Sequence, residues 1–235
     1  MTASSRFVTD TSWRRPKQGS VVLAGSPLTL FSLSEEGTRI AESIERGQSL
    51  SSGHESLTER LLDAGAIHPI NEPNLGETLN TITAVIPAFV RSAEDAQQLK
   101  SLVAMCADFF AVIVVDDFSP YPLPDLGKSA VIRLSVNSGP ATARNAGLQQ
   151  VSTDFVAFID LDVALAATTV EKLIPYFSDP KVALVAPRVK SFAQSNSLAE
   201  YEAVASVLDM GETEARVAPA TRVSYVPSAM LVCRT

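Results

Sequence analysis

Asp160 and Asp162 stand two residues apart at the end of Asp154-Phe-Val-Ala-Phe-Ile-Asp-Leu-Asp-Val163. The run reads as a short apolar strand that ends in two carboxylates. In extended chain such a pair points to one side and the residue between them to the other. Two carboxylates at the end of a buried strand offer the hard oxygen ligands that Mg²⁺ or Mn²⁺ takes. A cation held there would in turn clamp a diphosphate. From these residues alone, a plain Asp-rich turn after a strand reads equally well.

Three further clusters carry chemistry. In Val85-Ile-Pro87 the proline turns the chain and leaves backbone groups open to a ligand; a simple strand stop is the alternative. In Val115-Asp-Asp-Phe-Ser119 a carboxylate, Asp116 or Asp117, can accept hydrogen bonds from a base N–H or from ribose hydroxyls. An Asx-type turn explains the same residues. Asn137-Ser-Gly-Pro-Ala-Thr-Ala-Arg-Asn-Ala-Gly147 brings a helix start in through Gly139 and Pro140, where an anion is favoured. Arg144 adds a charge there, or it is a surface or structural ion-pair arginine.

Elements of α/β type must carry these clusters. Thr81–Ile86 is a continuous apolar strand, stopped by Pro87. Ser92 caps a helix whose Leu99, Leu102, Val103 and Cys106 recur at helical spacing. Ala111–Val115, Ala130–Leu134, Phe155–Ile159 and Val182–Ala186 read as further strands. Helices follow from Pro140 to about Gln150 and over Thr169–Phe177. Strand–helix alternation of this kind predicts a mostly parallel sheet with helices on its faces. All three clusters and the Asp pair then fall at the carboxyl ends of strands, where such sheets bind ligands. Ser197–Met210 has a helical apolar face, and Arg222–Val226 and Ala229–Cys233 are late strand candidates.

Residues 1–19 look like a flexible tail. Residues 20–70 look like a small winged-helix-like α+β module. Val21–Ala24 and Leu28–Phe31 are its strands, Ser34 caps a helix to about Arg46, and Ser56-Leu-Thr-Glu59 is a capping-box pattern. Residues 71–80 read as a linker, and 81–235 as the α/β domain.

The 235 residues are 46% hydrophobic and 19% charged, with a formal net charge of -7. That is a soluble globular composition. The acidic balance argues against nucleic acid as a partner. No apolar run approaches a membrane span. The polar N-terminus lacks a secretory core, so the expected location is cytoplasmic. Cys106 and Cys233 show no metal or disulfide spacing, and Cys106 is expected as a core thiol. His54 and His68 lie near turn signals and are expected as exposed or loop histidines, with a catalytic base as the alternative.

Taken in order, Ile-Pro, Val-Asp-Asp-x-Ser, Asn-x-Gly-x-x-x-Ala-Arg-Asn-x-Gly and Asp-x-Asp resemble the nucleotide-sugar half of inverting GT-A glycosyltransferases. That group includes cellulose, chitin and hyaluronan synthases. The resemblance covers residues 81–235 and implies a GT-A (Rossmann-like) sheet. It implies that Pro87, Ala88, Asp116, Asp117, Asn137, Gly139, Arg144 and Asp160 bind the nucleotide-sugar. Asp116 and Asp117 would meet base and ribose, Asp160 would lie near the ribose, and Asp162, with Asp160, would reach the metal, Mg²⁺ or Mn²⁺.

A narrower resemblance rests on Gly25-Ser-Pro-Leu28, on Asp179-Pro-Lys-Val-Ala-Leu-Val-Ala-Pro-Arg-Val189 and on Glu214–Ala229. These are similar to the mycofactocin-system glycosyltransferase family. That family places a module similar to PqqD-type peptide-recognition domains ahead of the GT-A domain. It implies a UDP-sugar donor, glucose transfer in β linkage, and premycofactocin or its peptide precursor as acceptor, with pathway proteins as further partners.

One departure stands out. Inverting GT-A enzymes take the acceptor proton with a carboxylate downstream of Asp-x-Asp. After Ser228 this chain has no Asp or Glu. The general base is therefore expected beyond Thr235, the chain is expected to be a fragment, and a missing C-terminal part leaves room for membrane association. The competing expectation is a non-catalytic peptide- or protein-binding scaffold with a truncated or degenerate transferase domain.

Overall fold

The computed structural model describes residues 5–51, 53–70, 81–107, 110–165, 168–191 and 197–235. The chain divides into two compact units, one of residues 1–72 and 190–226, the other of residues 73–189 and 227–235.

The first unit begins with β1 (Phe7–Thr9), β2 (Val21–Ala24), β3 (Thr29–Ser32), α1 (Glu35–Glu45), α2 (Glu55–Asp63) and β4 (Ile67–Pro69). α1 starts where expected, because Ser34 Oγ accepts the Gly37 N–H at 3.1 Å and Glu35 and Glu36 fall in the first turn. Its Ile40, Ala41 and Ile44 make a stripe that packs with Val22, Phe31, Leu61 and Ile67. α2 begins before Ser56, so no capping box forms there. The Gly53 N–H is taken instead by the Glu55 carboxylate, at 2.9 Å.

Residues 5–19 correct the expectation of a flexible tail. Phe7–Thr9 forms β1, which pairs antiparallel with β4, Val8 opposite His68. Trp13 Nε1 donates to Glu45 at 2.8 Å, and Arg15 pairs with the same carboxylate at 2.6 Å. A three-residue strand is too short for its periodicity to show in sequence.

His68 is buried rather than a loop residue. Its Nε2 lies 2.9 Å from the carboxylate of buried Asp10. That carboxylate also accepts the Ser12 N–H at 2.8 Å and its hydroxyl at 2.6 Å. Arg222 Nη2 lies 3.5 Å away, and the Arg222 backbone N–H donates to Ser26 Oγ at 2.6 Å. Burial pushes the Asp10 carboxyl up, but the Ser12 and His68 hydrogen bonds outweigh it and hold it below its ordinary value. The folded pKa is therefore below the unfolded one. The linked stability is present above about pH 4 and is lost as pH falls through the folded value. Asp10→Asn is expected to flatten the acid side of the unfolding profile. Trp13, the single tryptophan, reports it by fluorescence during urea melts at neutral and acid pH. A profile as steep as that of the unsubstituted chain would remove Asp10 as the acid-sensitive group.

The segment 190–226 differs from expectation. Its helix, Ser197–Ala205, ends early, and its Tyr201 and Val204 are exposed. Arg222–Val226 makes no strand; Ala218 N–H bonds the Val223 carbonyl at 3.2 Å in a compact loop.

The second unit holds β5 (Ile82–Ala88), α3 (Ala93–Ala107), β6 (Ala111–Asp116), β7 (Ala130–Arg133), α4 (Pro140–Leu148), β8 (Phe155–Ile159), α5 (Thr168–Leu173), β9 (Leu184–Val185) and β10 (Met230–Arg234). Its sheet runs β7-β6-β5-β8-β10-β9. β7, β6, β5 and β8 are parallel, while β10 is antiparallel to both β8 and β9. Every residue of β5 is buried, as a continuous apolar run in a parallel sheet predicts. α3 covers one face with Leu99, Leu102, Val103 and Cys106. Burial pushes the Cys106 thiol up to about 11, as befits a core thiol. α4 covers the other face, with Ala143 against Val85, Val115 and Val156.

Pro87 does not stop β5. The strand continues through Pro87 and Ala88, paired with Val115 and Asp116 of β6. The Ala88 carbonyl accepts the Asp117 N–H at 2.8 Å, so Ala88 faces β6. Alternation turns the Pro87 nitrogen toward β8. The β5–β8 ladder has already ended at Val85–Phe158, so no bond is lost by a residue without an N–H. Among the described residues no helix is long and apolar enough to cross a membrane.

Candidate functional site

β6 and β7 lie to one side of β5, and β8 lies to the other. The sheet order therefore reverses between β5 and β8. In open α/β sheets the crevice beyond the carboxyl ends of the strands at such a point is where ligands bind. The early end of the β5–β8 ladder opens the sheet at that place. Pro87 and Ala88 close β5, Asp116 and Asp117 close β6, Asp160 follows β8, and Gly139 opens α4.

Asp116 is 1% exposed and Asp117 4%, and both are held by protein donors. Asp116 Oδ1 accepts the Ser119 N–H at 2.9 Å, and Oδ2 pairs with the Arg133 guanidinium. Arg133 Nη2 also donates to the Ser119 carbonyl at 3.1 Å. Asp117 accepts the Ser138 and Gly139 N–H groups, one on each oxygen, both at 2.7 Å. This carboxylate ties the start of α4 to the end of β6. Gly139 makes the entry with φ of 83°, in the region that favours glycine, and Pro140 follows at the first turn. Asn137 is exposed beside them. Each oxygen of Asp116 and Asp117 retains acceptor capacity, since a carboxylate offers about four lone-pair positions.

β8 ends at Ile159, one residue short of the Asp pair. Asp160–Val163 is a turn, in which the Val163 N–H bonds the Asp160 carbonyl at 3.2 Å. The extended-chain pairing of the two carboxylates is therefore corrected, because the backbone has already left the sheet. The Asp160 N–H donates to the Ala229 carbonyl at 2.9 Å, which fixes the turn to the start of β10. Arg144, from α4, forms an ion pair with the Asp160 carboxylate and reaches Ser228 Oγ at 3.4 Å. The Arg144 Nε is buried without a hydrogen-bond partner. Burial raises the Asp160 pKa; Arg144 opposes this, and the neighbouring Asp162 charge adds to it. Asp162 is exposed.

Two carboxylates whose charges oppose one another suit a divalent cation. Among the described residues no group of three or more His, Cys, Asp or Glu side chains is placed to hold a metal ion, so Asp160 and Asp162 stand as a pair. Such a set fits Mg²⁺ or Mn²⁺, which bind through one or two carboxylates together with substrate phosphates. Residues that the sequence reading passed over also serve the site. Arg133 lay in a strand candidate, and Ser228 lay next to one, neither with any chemical signal. Gly147 stood in the motif, but only the fold shows that it touches Val85 and Val115.

A mostly parallel sheet, helices on both faces and acidic residues at the carboxyl edge make the GT-A-like fold of a glycosyltransferase. Residues 83–231 match the sequence model of Glycosyl transferase family 2, and the chain belongs to that family. It is 41% identical over 226 residues to the pre-mycofactocin glycosyltransferase of Mycobacterium tuberculosis, covering 92% of this chain and 46% of that protein. The chain thus spans about half the length of this curated relative. The succinoglycan biosynthesis protein ExoW of Rhizobium meliloti is 39% identical over 92 residues, 34% of this chain and 29% of that one. Among solved structures, glucosyl-3-phosphoglycerate synthase of Mycobacterium tuberculosis, in complex with Mn²⁺, UDP-glucose and phosphoglyceric acid, superposes with a TM-score of 0.44. It is 21% identical and covers 66% of this chain and 57% of its own.

Proposed function

We propose that the chain carries the donor site of a metal-dependent inverting glycosyltransferase that uses a UDP-sugar, UDP-glucose first. The acceptor would be a hydroxyl of premycofactocin or of its growing glucan. The observation that carries the reading is the gathering of Asp116, Asp117, the start of α4, Arg144, Asp160 and Asp162 at the carboxyl edge, where the sheet order reverses. The 41% identity to a pre-mycofactocin glycosyltransferase supports the acceptor class.

In this reading Asp116 and Asp117 orient base and ribose through their remaining lone pairs. Asp117 also holds the α4 entry in place for the nucleotide. Asp160 is positioned by Arg144 beside the ribose, and Asp162 offers its exposed carboxylate to Mg²⁺ or Mn²⁺. The cation, when bound, supplies charge stabilisation for a departing diphosphate.

Calorimetric titration of UDP into the chain, in Mn²⁺ and in EDTA, tests this. UDP is expected to bind, and Mn²⁺ to tighten it by about tenfold or more. Asp162→Ala is expected to bind equally in Mn²⁺ and EDTA. Folded protein with no UDP affinity under either condition would end the reading.

A second reading, a peptide- or protein-binding scaffold built on residues 20–70, has its own observation. The β2–β3 hairpin turns Leu23 and Leu30, paired across the strands, outward with Val21 and Leu28, and Leu30 is 69% exposed. That apolar face suits a PqqD-like module that receives the acceptor's peptide precursor or a pathway protein. Failure of UDP binding would favour it as the whole function.

A further inference from the structure

We propose that Phe118 is a stacking platform for the nucleobase of the donor, an inference that rests on the nucleotide-sugar reading above. Phe118 is a bulky residue with φ of 60°, in the region that side chains avoid. Glycine would fit that backbone without strain. The neighbours Asp117 and Ser119 are buried, while Phe118 is 48% exposed. Its ring belongs to none of the hydrophobic clusters of the described residues. Packing therefore does not account for a phenyl ring here, and strain of this kind gathers at functional sites.

The ring is held from one side. The Arg133 guanidinium lies 5.3 Å from the ring centroid, in cation–π range. Arg133 is itself fixed by its ion pair with Asp116 and by its bond to the Ser119 carbonyl. The ring is thus backed by a cation that is anchored to the carboxylate expected at the base. The loop is equally fixed. The Asp117 N–H bonds the Ala88 carbonyl at 2.8 Å, and Ser119 Oγ accepts the Val90 N–H at 2.8 Å. These two bonds bracket Phe118 and Phe89, so two exposed phenyl residues stand on bonded segments just past the ends of β5 and β6. A flat aromatic surface, pre-oriented and open to solvent, takes the face of a planar base whatever its hydrogen-bonding pattern.

The test compares Phe118→Gly and Phe118→Tyr with the unsubstituted chain, using UDP and inorganic pyrophosphate, each with Mn²⁺. Phe118→Gly is expected to fold, since it relieves the positive φ. It should weaken UDP by about tenfold and leave pyrophosphate unchanged. Phe118→Tyr should keep UDP affinity within about twofold. Equal UDP affinity in Phe118→Gly overturns the proposal. So does an equal loss for both probes, which would make the ring a loop support. If the unsubstituted chain binds no UDP, the donor-site reading fails and takes the platform with it.

Discussion

Gly147→Ala is expected to lower the melting temperature of the transferase unit by about 4–8 °C. A Cβ at this position would lie 2.4 Å from Val85 Cγ1 and 3.0 Å from Val115 Cγ2. Both valines are fully buried in central strands, and branched side chains in strands have little rotamer freedom with which to yield. Overpacking of this severity costs about 3 kcal/mol. Alanine returns about 1 kcal/mol of helix propensity, which leaves roughly 2 kcal/mol of net loss. At about 2–4 °C per kcal/mol for a domain of this size, the shift is well within reach of a thermal melt followed by circular dichroism. The effect does not stop at stability. α4 carries Arg144 and begins at Gly139, so a helix lifted from the sheet also moves the groups set at the crevice. UDP affinity should fall with the melting temperature. A variant as stable as the parent would mean that α4 can ride higher without cost.

Asp117→Ala is the second large effect. The carboxylate is buried and satisfies two backbone donors at 2.7 Å each. Its removal leaves the Ser138 and Gly139 N–H groups without their acceptor at a helix start. Each unmade bond of this type costs about 1–3 kcal/mol, so the expected loss for the two is roughly 2–6 kcal/mol. Asp117→Asn keeps one carbonyl acceptor and should recover about half. Stability and UDP affinity are read together. Asp117→Asn that restores the fold but not UDP binding would show that the charge, beyond the helix anchor, faces the ligand. If neither substitution changes the melt, the two hydrogen bonds are not what fixes α4.

Much of the transferase unit was legible because its strands are continuous apolar runs. Phe155–Ile159 was read to the residue, and Ala111–Val115 fell short by one. Burial on both faces writes itself into composition. Pairing does not. Ala229–Cys233 reads as a strand, but nothing in it states that β10 runs antiparallel between β8 and β9. Pro87 was misread for the same reason: a proline ends a strand only if its nitrogen faces a partner, and here the partner strand has already stopped. The candidate site was legible as an ordered set of motifs rather than as geometry. Asp160 and Asp162 stand out in the sequence as a spaced pair, but the turn that carries them depends on the bond from Asp160 to Ala229, a residue far along the chain. Arg133, Ser119 and Phe118 gain meaning only once β6 and β7 are side by side. In the first unit, Phe7–Thr9 and the Asp10–His68 pair needed a strand partner some sixty residues away, which local pattern cannot supply.

The place of β10 also sets a schedule for the making of this protein. β8 is complete at Ile159, yet its partner on that side begins at Met230. At a synthesis rate of about 5–20 residues per second, the intervening stretch of roughly 70 residues takes on the order of 4–14 s to appear. Through that interval an apolar strand edge lacks its partner on the nascent chain, a surface prone to join a neighbouring polypeptide. The turn at Asp160 is likewise unanchored until Ala229 emerges. The unit cannot mature domain-half by domain-half as it leaves the ribosome; the turn at Asp160 waits for a strand that arrives late and takes its place between β8 and β9.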